Sequence, residues 1–504
     1  MVNKSLFCLA FAAFFSIISC KVQPFDEVIT SSNSDWAVPL IDSKKSFNDI
    51  INGFDKQAIL EILPDNTLNL HYKGEFLSRS SLDIFKNFQY LPIPLGDSVV
   101  DVPFTSAGGV KIDFADLKTG SITWRYGQGV PIFSPTITEP LDITISIPGL
   151  TKNGVSFQKK FKASAAYSDS LDVKGWRLAA TKGDSISIIT DVRRANGTRI
   201  QQNGLLIIQN FQFSLVKGYL GMQVFDAPSD TIEIDFFKKW RNGNVRFENP
   251  KMTISLDNSF GMPVRSLVRT AEVVSLDGSI VKMQSAFITD GIDINYPSFT
   301  EIGKSKRTVV VFDKTNSNLA NIVSANPVAI NYKIDGLTNP DLNQRAIGFL
   351  TDSSAFKLQV ELDLPIYGTA KSFDVFDSLA LDFTKYTNVS QAEFKVTTDN
   401  GMPVDMALQG YFVNANGAVI DSFYQNSTLV LRGAPVGADG IPTSIKSAES
   451  ILKIDGDKLK KVMVATKLRT KLSVSTTNNG SIPVKLTSKQ DVRVRIGVRF
   501  GAKL

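Results

Sequence analysis

The sequence predicts an all-β fold in which immunoglobulin-like β-sandwich modules follow one another along the chain. Short runs rich in Val, Ile and Phe recur and are separated by turn-forming pairs such as Asp277-Gly278 and Asn416-Gly417. In several runs apolar and polar residues alternate, as in a strand with one buried and one solvent-facing side. A segment of about 140 residues is also repeated, which indicates tandem domains of similar structure.

The clearest alternation lies at the end of the chain. One face carries the apolar residues Val492, Val494, Ile496, Val498 and Phe500. The other face carries the basic residues Arg493, Arg495 and Arg499. Such strict alternation predicts a strand in a sheet that is buried on one side and wet on the other.

A turn motif marks the repeat most clearly. The first main copy contains Asn258, Gly261 and Pro263, and the second contains Asn400, Gly401 and Pro403. A fainter third copy contains Gly129 and Pro131. Glycine permits a turn and proline stops ladder pairing, so a chain can leave one sheet there and enter another. We expect these residues to be structural and to mark crossings between the two sheets of a sandwich.

Further elements keep the same spacing. Residues 318–322 and 458–462 both look like short helices, and each is followed by a strand pattern, at 328–334 and 468–474. Each repeat is therefore expected to carry one short helix over an end of its sandwich. By contrast, the pair Asn196-Gly197 predicts a hairpin between strands at 185–190 and 204–208.

The N-terminal part follows a different pattern. Ser46 is a candidate cap for a helix over 47–52, and a hairpin is expected from strands at 58–63 and 68–76. The predicted organisation of the whole chain is a signal peptide (1–19), a lipidated tether (20–35), an N-terminal helix and hairpin element (36–88), a divergent first β-sandwich (89–204), repeat 1 (205–345) and repeat 2 with basic C-terminal strands (346–504).

The first twenty residues indicate export. A short basic start is followed by an apolar stretch over 6–18, which is shorter than the about 20 residues of a spanning helix and is typical of a secretion signal. Ser19 followed by Cys20 resembles the lipobox of bacterial lipoproteins, and this resemblance implies cleavage before Cys20 and acylation of that residue. Several acyl chains would hold the protein stably at a membrane. The alternative is an ordinary secretory signal with a chance cysteine.

A wider resemblance adds to this prediction. The lipobox, the segment Trp36-Ala-Val-Pro-Leu40, the repeated Gly-Met-Pro-Val turn and Gln409-Gly-Tyr-Phe412 look like those of uncharacterised outer-membrane lipoproteins of the Bacteroidota with tandem β-sandwich repeats. The resemblance covers most of the chain and implies lipid anchoring at the outer membrane. It implies nothing about a ligand, and it leaves the periplasmic and surface sides equally open.

Residues suited to catalysis are scarce. His71 is the single histidine, and alternation places it with Asn69 and Lys73 on the expected solvent face of its strand. No nucleophile elbow, His-Glu-x-x-His pair, phosphate loop or dinucleotide fingerprint occurs. Cys8 leaves with the signal and Cys20 carries the lipid, so disulfides and thiolate metal sites are not expected. We therefore predict a non-enzyme without catalytic residues, metal site or cofactor.

The C-terminal charge is uneven. Residues 453–504 contain 13 Lys or Arg residues and 3 acids. Such a basic module could face lipopolysaccharide phosphates, anionic headgroups or an acidic partner, and the alternative is a solvated strand face. Nucleic acid is not an expected partner of an exported chain.

Three functions remain open at this point. The leading hypothesis is a non-catalytic lipoprotein that acts as an interaction or scaffold component of the cell envelope. The second is glycan binding at the cell surface, for which Trp36, Trp124, Trp176 and Trp240 would have to be exposed. The third is carriage of a hydrophobic ligand inside an apolar cavity between sheets.

Overall fold

The structure is a computed structural model and describes most of the chain as strands. The described residues are 36–46, 59–74, 77–81, 88–96, 98–103, 109–127, 137–226, 228–235, 238, 242–324, 326–381 and 389–502. The strands form several sheets, and the pairings among the described residues are antiparallel. This confirms the predicted all-β, multi-sandwich fold class.

Twelve strands precede the repeated part of the chain. The N-terminal ones are β1 (Trp36–Ser46), β2 (Ile59–Ile62), β3 (Leu68–Lys73) and β4 (Leu77–Ser80). The next are β5 (Phe88–Leu95), β6 (Val99–Pro103), β7 (Lys111–Gly127), β8 (Ile137–Lys152), β9 (Val155–Asp172), β10 (Arg177–Ala179), β11 (Ser185–Arg194) and β12 (Gly204–Tyr219).

The following stretch holds twelve more strands and two short helices. They are β13 (Val224–Phe225), β14 (Asp230–Glu233), β15 (Asn244–Phe247), β16 (Lys251–Asn258), β17 (Val264–Ser275), β18 (Ile280–Lys282), α1 (Ala286–Thr289), β19 (Ile292–Ile294), β20 (Lys306–Phe312), α2 (Leu319–Ile322), β21 (Pro327–Thr338), β22 (Gly348–Thr351), β23 (Ala355–Pro365) and β24 (Tyr367–Lys371). A single 3-10 turn (Phe299–Glu301) precedes β20.

The last stretch contains nine strands and one helix. They are β25 (Phe373–Ala380), β26 (Val389–Asn400), β27 (Val404–Val413), β28 (Val419–Ser422), β29 (Thr428–Leu431), β30 (Lys446–Asp455), α3 (Gly456–Met463), β31 (Lys467–Thr476), β32 (Val484–Lys485) and β33 (Asp491–Ala502). The helices α2 and α3 confirm the two short helices predicted from the repeat.

Strands β5 to β12 form one nine-stranded sheet together with β22. The path runs β22-β12-β7-β10-β8-β11-β6, with β5 on β12 and β9 on β7 and β8. Its buried side chains, among them Trp124, Ile145 and Leu206, form a core cluster of their own. Since β9 and β10 each pair with both β7 and β8, this sheet curls on itself around the cluster.

Two sandwiches of matching topology follow, which we call unit 1 (224–365) and unit 2 (373–502). In unit 1 the sheet β2-β3-β23-β16-β20 faces the sheet β13-β21-β17-β18, and Ile254, Val360 and Ile330 meet in the core between them. In unit 2 the sheet β1-β33-β26-β30 faces the sheet β25-β31-β27-β28. Leu452 and Phe412 belong to the core between those two sheets.

The two units correspond strand by strand. The strand β16 lies between β20 and β23, as β26 lies between β30 and β33. In the opposite sheets β17 pairs with β18 and β21, as β27 pairs with β28 and β31. The motif similarity in the sequence therefore reflects a duplicated topology.

Strand pairing crosses two of the predicted boundaries. The boundary at 204/205 falls at the start of β12, which pairs with β7 over most of its length. The boundary at 345/346 separates β23 from its partner β16. Both boundaries were inferred from the spacing of the turn motif, which marks the middle of a unit and does not show where its last strand closes the sheet.

The N-terminal segment contributes strands to both units. The strand β1 adds to the edge of unit 2 by pairing with β33, and β3 and β4 pair with β23 of unit 1. The pairing of β2 with β3 confirms the predicted hairpin. Ser46 ends β1, and the helix expected over 47–52 lies outside the described residues.

The hairpin predicted around Asn196-Gly197 does not form between the two long strands. The turn itself is present, since the Gly197 amide donates to the Arg194 carbonyl at 2.8 Å. However, β11 pairs with β6 and β8, and β12 pairs with β5, β7 and β22. The Asn-Gly pair thus predicts where the chain turns, but it does not predict which distant strand each flanking strand pairs with.

Candidate functional site

Some predicted site residues lie outside the described part of the chain. Cys20 precedes its first residue, Trp36, and Gly129 and Pro131 fall in the undescribed range 128–136. The lipidation site and the third copy of the turn motif therefore stay predictions from the sequence.

The asparagines of the turn motif are fully buried and hold the crossing between sheets. The Asn258 Oδ1 accepts the Phe260 amide at 2.9 Å, and its Nδ2 donates to the Asn295 carbonyl at 3.1 Å. The Asn400 Oδ1 accepts the Met402 amide at 2.8 Å, and its Nδ2 donates to the Arg432 carbonyl at 2.9 Å. Each side chain satisfies backbone groups that the sheets leave unpaired at the crossing.

The prolines have matching roles. The Pro263 carbonyl accepts the Asn339 amide, and the Pro403 carbonyl accepts the Thr477 amide, both at 2.9 Å. The crossing occurs as expected, from β16 to β17 in unit 1 and from β26 to β27 in unit 2.

The glycines do not have the role expected from the sequence. Gly261 and Gly401 are absent from the positive-φ glycines, so a turn conformation does not require them. A Cβ on Gly261 would instead meet the buried ring of Phe349 at 2.0 Å. Since the asparagines and the following Met262 and Met402 are also buried, the motif is a packing element and offers no surface to a ligand.

The basic C-terminal strand forms ion pairs across its sheet. Val492, Val494 and Val498 are buried as predicted. On the opposite face Arg493 makes a bidentate pair with Asp42 of β1 at 2.7 and 2.6 Å, and Arg495 binds Asp399 of β26 at 2.6 Å.

Those contacts alter the electrostatics of the strand. The hydrogen bond from Arg493 holds the pKa of Asp42 below its ordinary value. Much of the positive charge is therefore neutralised within the sheet, which favours a solvated strand face over a docking surface for anions.

The two tryptophans whose side chains are described give no support to a sugar-stacking platform. Trp124 is 1% exposed, and its indole lies 5.7 Å from the ring of Phe157 in the curled sheet. Trp176 is partly buried, packs edge-on against the same phenylalanine at 5.9 Å and lies under Lys152. The side chains of Trp36 and Trp240 lie outside the described set.

A small apolar cavity lies between the sheets of unit 1. Met252, Ile254, Leu319, Ile330 and Val360 are among its lining residues, and its free volume is about 10 Å³. That volume is close to the minimum for one water molecule. The cavity is therefore a packing defect and cannot hold an acyl chain.

His71 belongs to a polar cluster that the sequence did not predict. Its Nδ1 lies 2.9 Å from the Asp363 Oδ1, and its side chain is only 14% exposed. The neighbouring Asn69 is 1% exposed, and its Nδ2 donates to the Asp363 Oδ1 at 2.8 Å and to the Glu61 Oε2 at 3.4 Å. The expected solvent face of β3 is therefore largely covered at these positions.

Strand register brings the cluster together. Asn69 and His71 are two residues apart on β3, so they share one face of the sheet. Glu61 of β2 is the register partner of Asn69, and Asp363 of β23 is the partner of His71. One carboxylate thus comes from each neighbouring strand.

The turn before β3 fixes this register. Asn66 adopts a left-handed conformation with φ of 65°, which asparagine tolerates better than most residues. The Asp65 Oδ1 accepts the Thr67 amide at 3.0 Å, and this hydrogen bond lowers the pKa of Asp65. The Pro-Asp-Asn-Thr sequence therefore sets the hairpin that places Asn69 beside Glu61.

The distance along the chain explains why the sequence does not predict the cluster. His71 and Asp363 are 292 residues apart, and no local pattern links β3 to β23. The alternation of β3 assigned the correct face but could not show that neighbouring strands cover it.

Comparisons with known proteins show no family. The chain matches no protein-family model and no curated protein sequence. Among solved structures, a Parabacteroides distasonis protein inferred to be secreted has 13% identity over 93% of this chain and 100% of its own, with a TM-score of 0.29. The CBM22-1–CBM22-2 tandem domain of Paenibacillus barcinonensis Xyn10C has 9% identity over 56% of this chain and 91% of its own, with a TM-score of 0.15.

A third solved structure, that of infectious bursal disease virus strain Gx, has 8% identity over 89% of this chain and 82% of its own, with a TM-score of 0.14. All three scores are too low to carry an argument about fold or function. Within the described residues, no helix has both the length and the apolar character needed to cross a membrane.

Proposed function

We propose that this chain is a non-catalytic lipoprotein of the outer membrane, acylated at Cys20, whose two duplicated β-sandwich units act as an interaction or scaffold arm of the cell envelope. The observation that carries the proposal is the position of the N-terminal segment. Directly after the predicted tether, β1 joins the sheet of unit 2, and β3 joins the sheet of unit 1. A lipid at Cys20 would therefore be linked closely to both units.

The length of the tether limits how far the units could lie from the membrane. Residues 20–35 would span at most about 55 Å if fully extended. Both sandwiches would then stay within reach of the bilayer and of proteins embedded in it. Neither glycan binding nor carriage of a hydrophobic ligand gains a supporting observation, because Trp124 is buried and the cavity of unit 1 is too small.

Replacement of Cys20 tests the anchoring part of the proposal. We expect Cys20→Ser to abolish incorporation of labelled fatty acid and to release the protein from the envelope fraction, because the serine hydroxyl does not accept the thioether-linked lipid. Cys8→Ser is the matched control, since it removes the other cysteine of the chain and should label and fractionate like the parent. Equal labelling of the Cys20→Ser protein would contradict the proposal.

The interaction part needs a separate experiment. Crosslinking of intact cells followed by purification of the parent and of Cys20→Ser should recover an envelope protein with the parent and much less of it with the variant. Recovery of no envelope protein with the parent under several detergents would contradict a scaffold role and leave the lipid anchor unaffected.

A further inference from the structure

We propose that Glu61, His71 and Asp363, assisted by Asn69, form a binding site for a divalent cation of the zinc class. One imidazole nitrogen and one oxygen from each carboxylate lie within 4.8 Å of one another. Ligand atoms bound to one zinc ion lie at most roughly 4.4 Å apart, since each is about 2.0–2.2 Å from the metal. Small side-chain movements are therefore enough to bring the three groups onto one ion.

Asn69 provides independent support for a ligand at this position. Its side chain is 1% exposed, and its amide nitrogen contacts both carboxylates. Its Oδ1 is buried and has no hydrogen-bond partner among the described residues. A buried oxygen without a hydrogen-bond partner destabilises the fold. Rotation of the amide would turn this oxygen toward the two carboxylates, where it could bind a cation as a further ligand.

The ligand set favours zinc over calcium or magnesium. Calcium and magnesium are usually bound by oxygen ligands alone, whereas a neutral imidazole nitrogen is a preferred zinc ligand. Three protein side chains with one further oxygen also match the four-coordinate geometry of zinc. The two carboxylates would balance the charge of a divalent ion.

Two lysines border the site and lower its expected affinity for a cation. Lys73 lies two residues after His71 on the same face of β3. Its Nζ is 3.6 Å from the Glu361 carboxylate. Lys251 of β16 is the register partner of Asp363 on the side away from His71. The positive charge of both lysines would repel a divalent ion, so we expect moderate affinity and no permanent occupancy.

A cation here would act on the attachment of the N-terminal segment. The ligands come from β2, β3 and β23, so one ion would link the hairpin to the closing strand of unit 1. Metal binding would then stabilise the point where the segment from the predicted anchor enters the sandwich. This inference does not depend on lipidation or on an envelope partner.

The composition of the chain permits a clean experiment. His71 is the single histidine, and the only cysteines are Cys8 and Cys20. A tag-free protein that starts at residue 20 and carries Cys20→Ser contains every described residue, no thiol and one imidazole. With ¹⁵N-labelled histidine, ZnCl₂ titration should shift the one imidazole spin system, and calorimetry should report about one bound ion.

Variants locate the bound ion. Glu61→Gln changes an exposed residue of β2 and should leave folding intact, while it weakens zinc binding by about 10-fold or more. Asp363→Asn should have a similar or larger effect. Asp257→Asn is the matched control, because Asp257 projects from β16 of the same sheet and is paired with Arg307. Its zinc affinity should equal that of the parent.

The outcomes separate a cation site from an ion pair. An imidazole resonance that does not move with millimolar zinc would overturn the proposal. Zinc binding that is unchanged in both Glu61→Gln and Asp363→Asn would also overturn it, since the ion would then lie elsewhere. An equal response of the imidazole to CaCl₂ would refute the assignment to the zinc class.

Discussion

Gly261 lies against the ring of Phe349, and this close approach limits what the position accepts. The Gly261 amide donates to the Phe349 carbonyl at 2.9 Å, and the Phe349 amide donates back at 3.2 Å. The two chain segments are therefore held together by paired backbone hydrogen bonds while the aromatic ring covers the glycine Cα. The ring is fully buried, so it has little freedom to move away from an added side chain.

The two motif glycines should respond differently to alanine. A Cβ at Gly261 would lie 2.0 Å from the Phe349 ring, whereas at Gly401 the nearest atom is the Asp491 carbonyl oxygen at 3.1 Å. We expect Gly261→Ala to lower the free energy of unfolding by about 1–3 kcal/mol through overpacking. Gly401→Ala should cost less, because the entropic gain of about 0.4–1 kcal/mol offsets a milder contact.

Urea unfolding of both variants measures the difference. The two substitutions are chemically identical and occupy equivalent positions of a duplicated unit, so each serves as the control for the other. A Gly401→Ala protein that is less stable than Gly261→Ala would contradict the packing role of Phe349.

Glu301 gives a pH-dependent contact at the turn before β20. Hydrogen bonds from Lys306 and from the Ser298 backbone and hydroxyl lower its pKa to about 2. A carboxylate with a lowered folded-state pKa contributes stability above its unfolded pKa, and that contribution is lost as the pH falls toward the folded value. The loss should therefore begin near the ordinary pKa of 4.5 and continue toward pH 2.

Glu301→Gln tests this contact. At pH 7 the parent should have the slightly higher Tm, because the glutamine cannot make the charged hydrogen bond to Lys306. The difference should shrink between pH 4.5 and pH 3 in differential scanning calorimetry. A difference that stays constant over this range would show that the ionised carboxylate does not stabilise the turn.

At the scale of single elements, β1 is the least predictable part of the fold. It forms an edge strand on β33, and the side chains of Asp42 and Arg493, which form an ion pair across the two strands, are 451 residues apart in the chain. The repeated elements were easier to predict, because the turn motif and the short helices recur with the same spacing. Local patterns identify strands, whereas the pairing of distant strands depends on tertiary packing.

Replacement of β1 should affect unit 2 only. We expect a Gly/Ser linker in place of the 11 residues of β1 to increase hydrogen exchange across β33, since that strand would lose one of its two neighbours. Exchange in β16 of unit 1 should not change, because β1 makes no pairing with that sheet among the described strands.

Asp42→Ala is the control for this experiment. It removes the exposed ion pair with Arg493 and leaves the backbone ladder in place, so its effect on the exchange of β33 should be small. If the linker variant keeps full protection in β33, β1 does not contribute to the sheet in solution.

At the scale of the whole molecule, one N-terminal segment adds strands to the sheets of both sandwich units. The curled nine-stranded sheet precedes them and connects to unit 1 through β12 and β22. The all-β class, the crossings and the duplication could be predicted because they depend on alternation and on a repeated motif. The cluster around His71 could not, since its ligands come from strands that are distant in sequence and adjacent only after the hairpin has joined β23.

Charge gives a similar contrast at this scale. The basic composition of residues 453–504 left both a docking face for anions and a solvated strand face open, and Arg493 and Arg495 are bound to aspartates of neighbouring strands. Net charge describes a segment and says little about which side chains remain available once the sheet has formed.

The identity of the mature N-terminus decides whether this chain is held at the membrane by a lipid. Mass spectrometry of the N-terminal peptide from protein extracted from envelopes of the native cells would measure it. The proposed lipid anchor predicts a chain that begins at Cys20 and carries a diacylglyceryl group on the thiol. A first residue other than Cys20, or an unmodified Cys20 in envelope-derived protein, would contradict it.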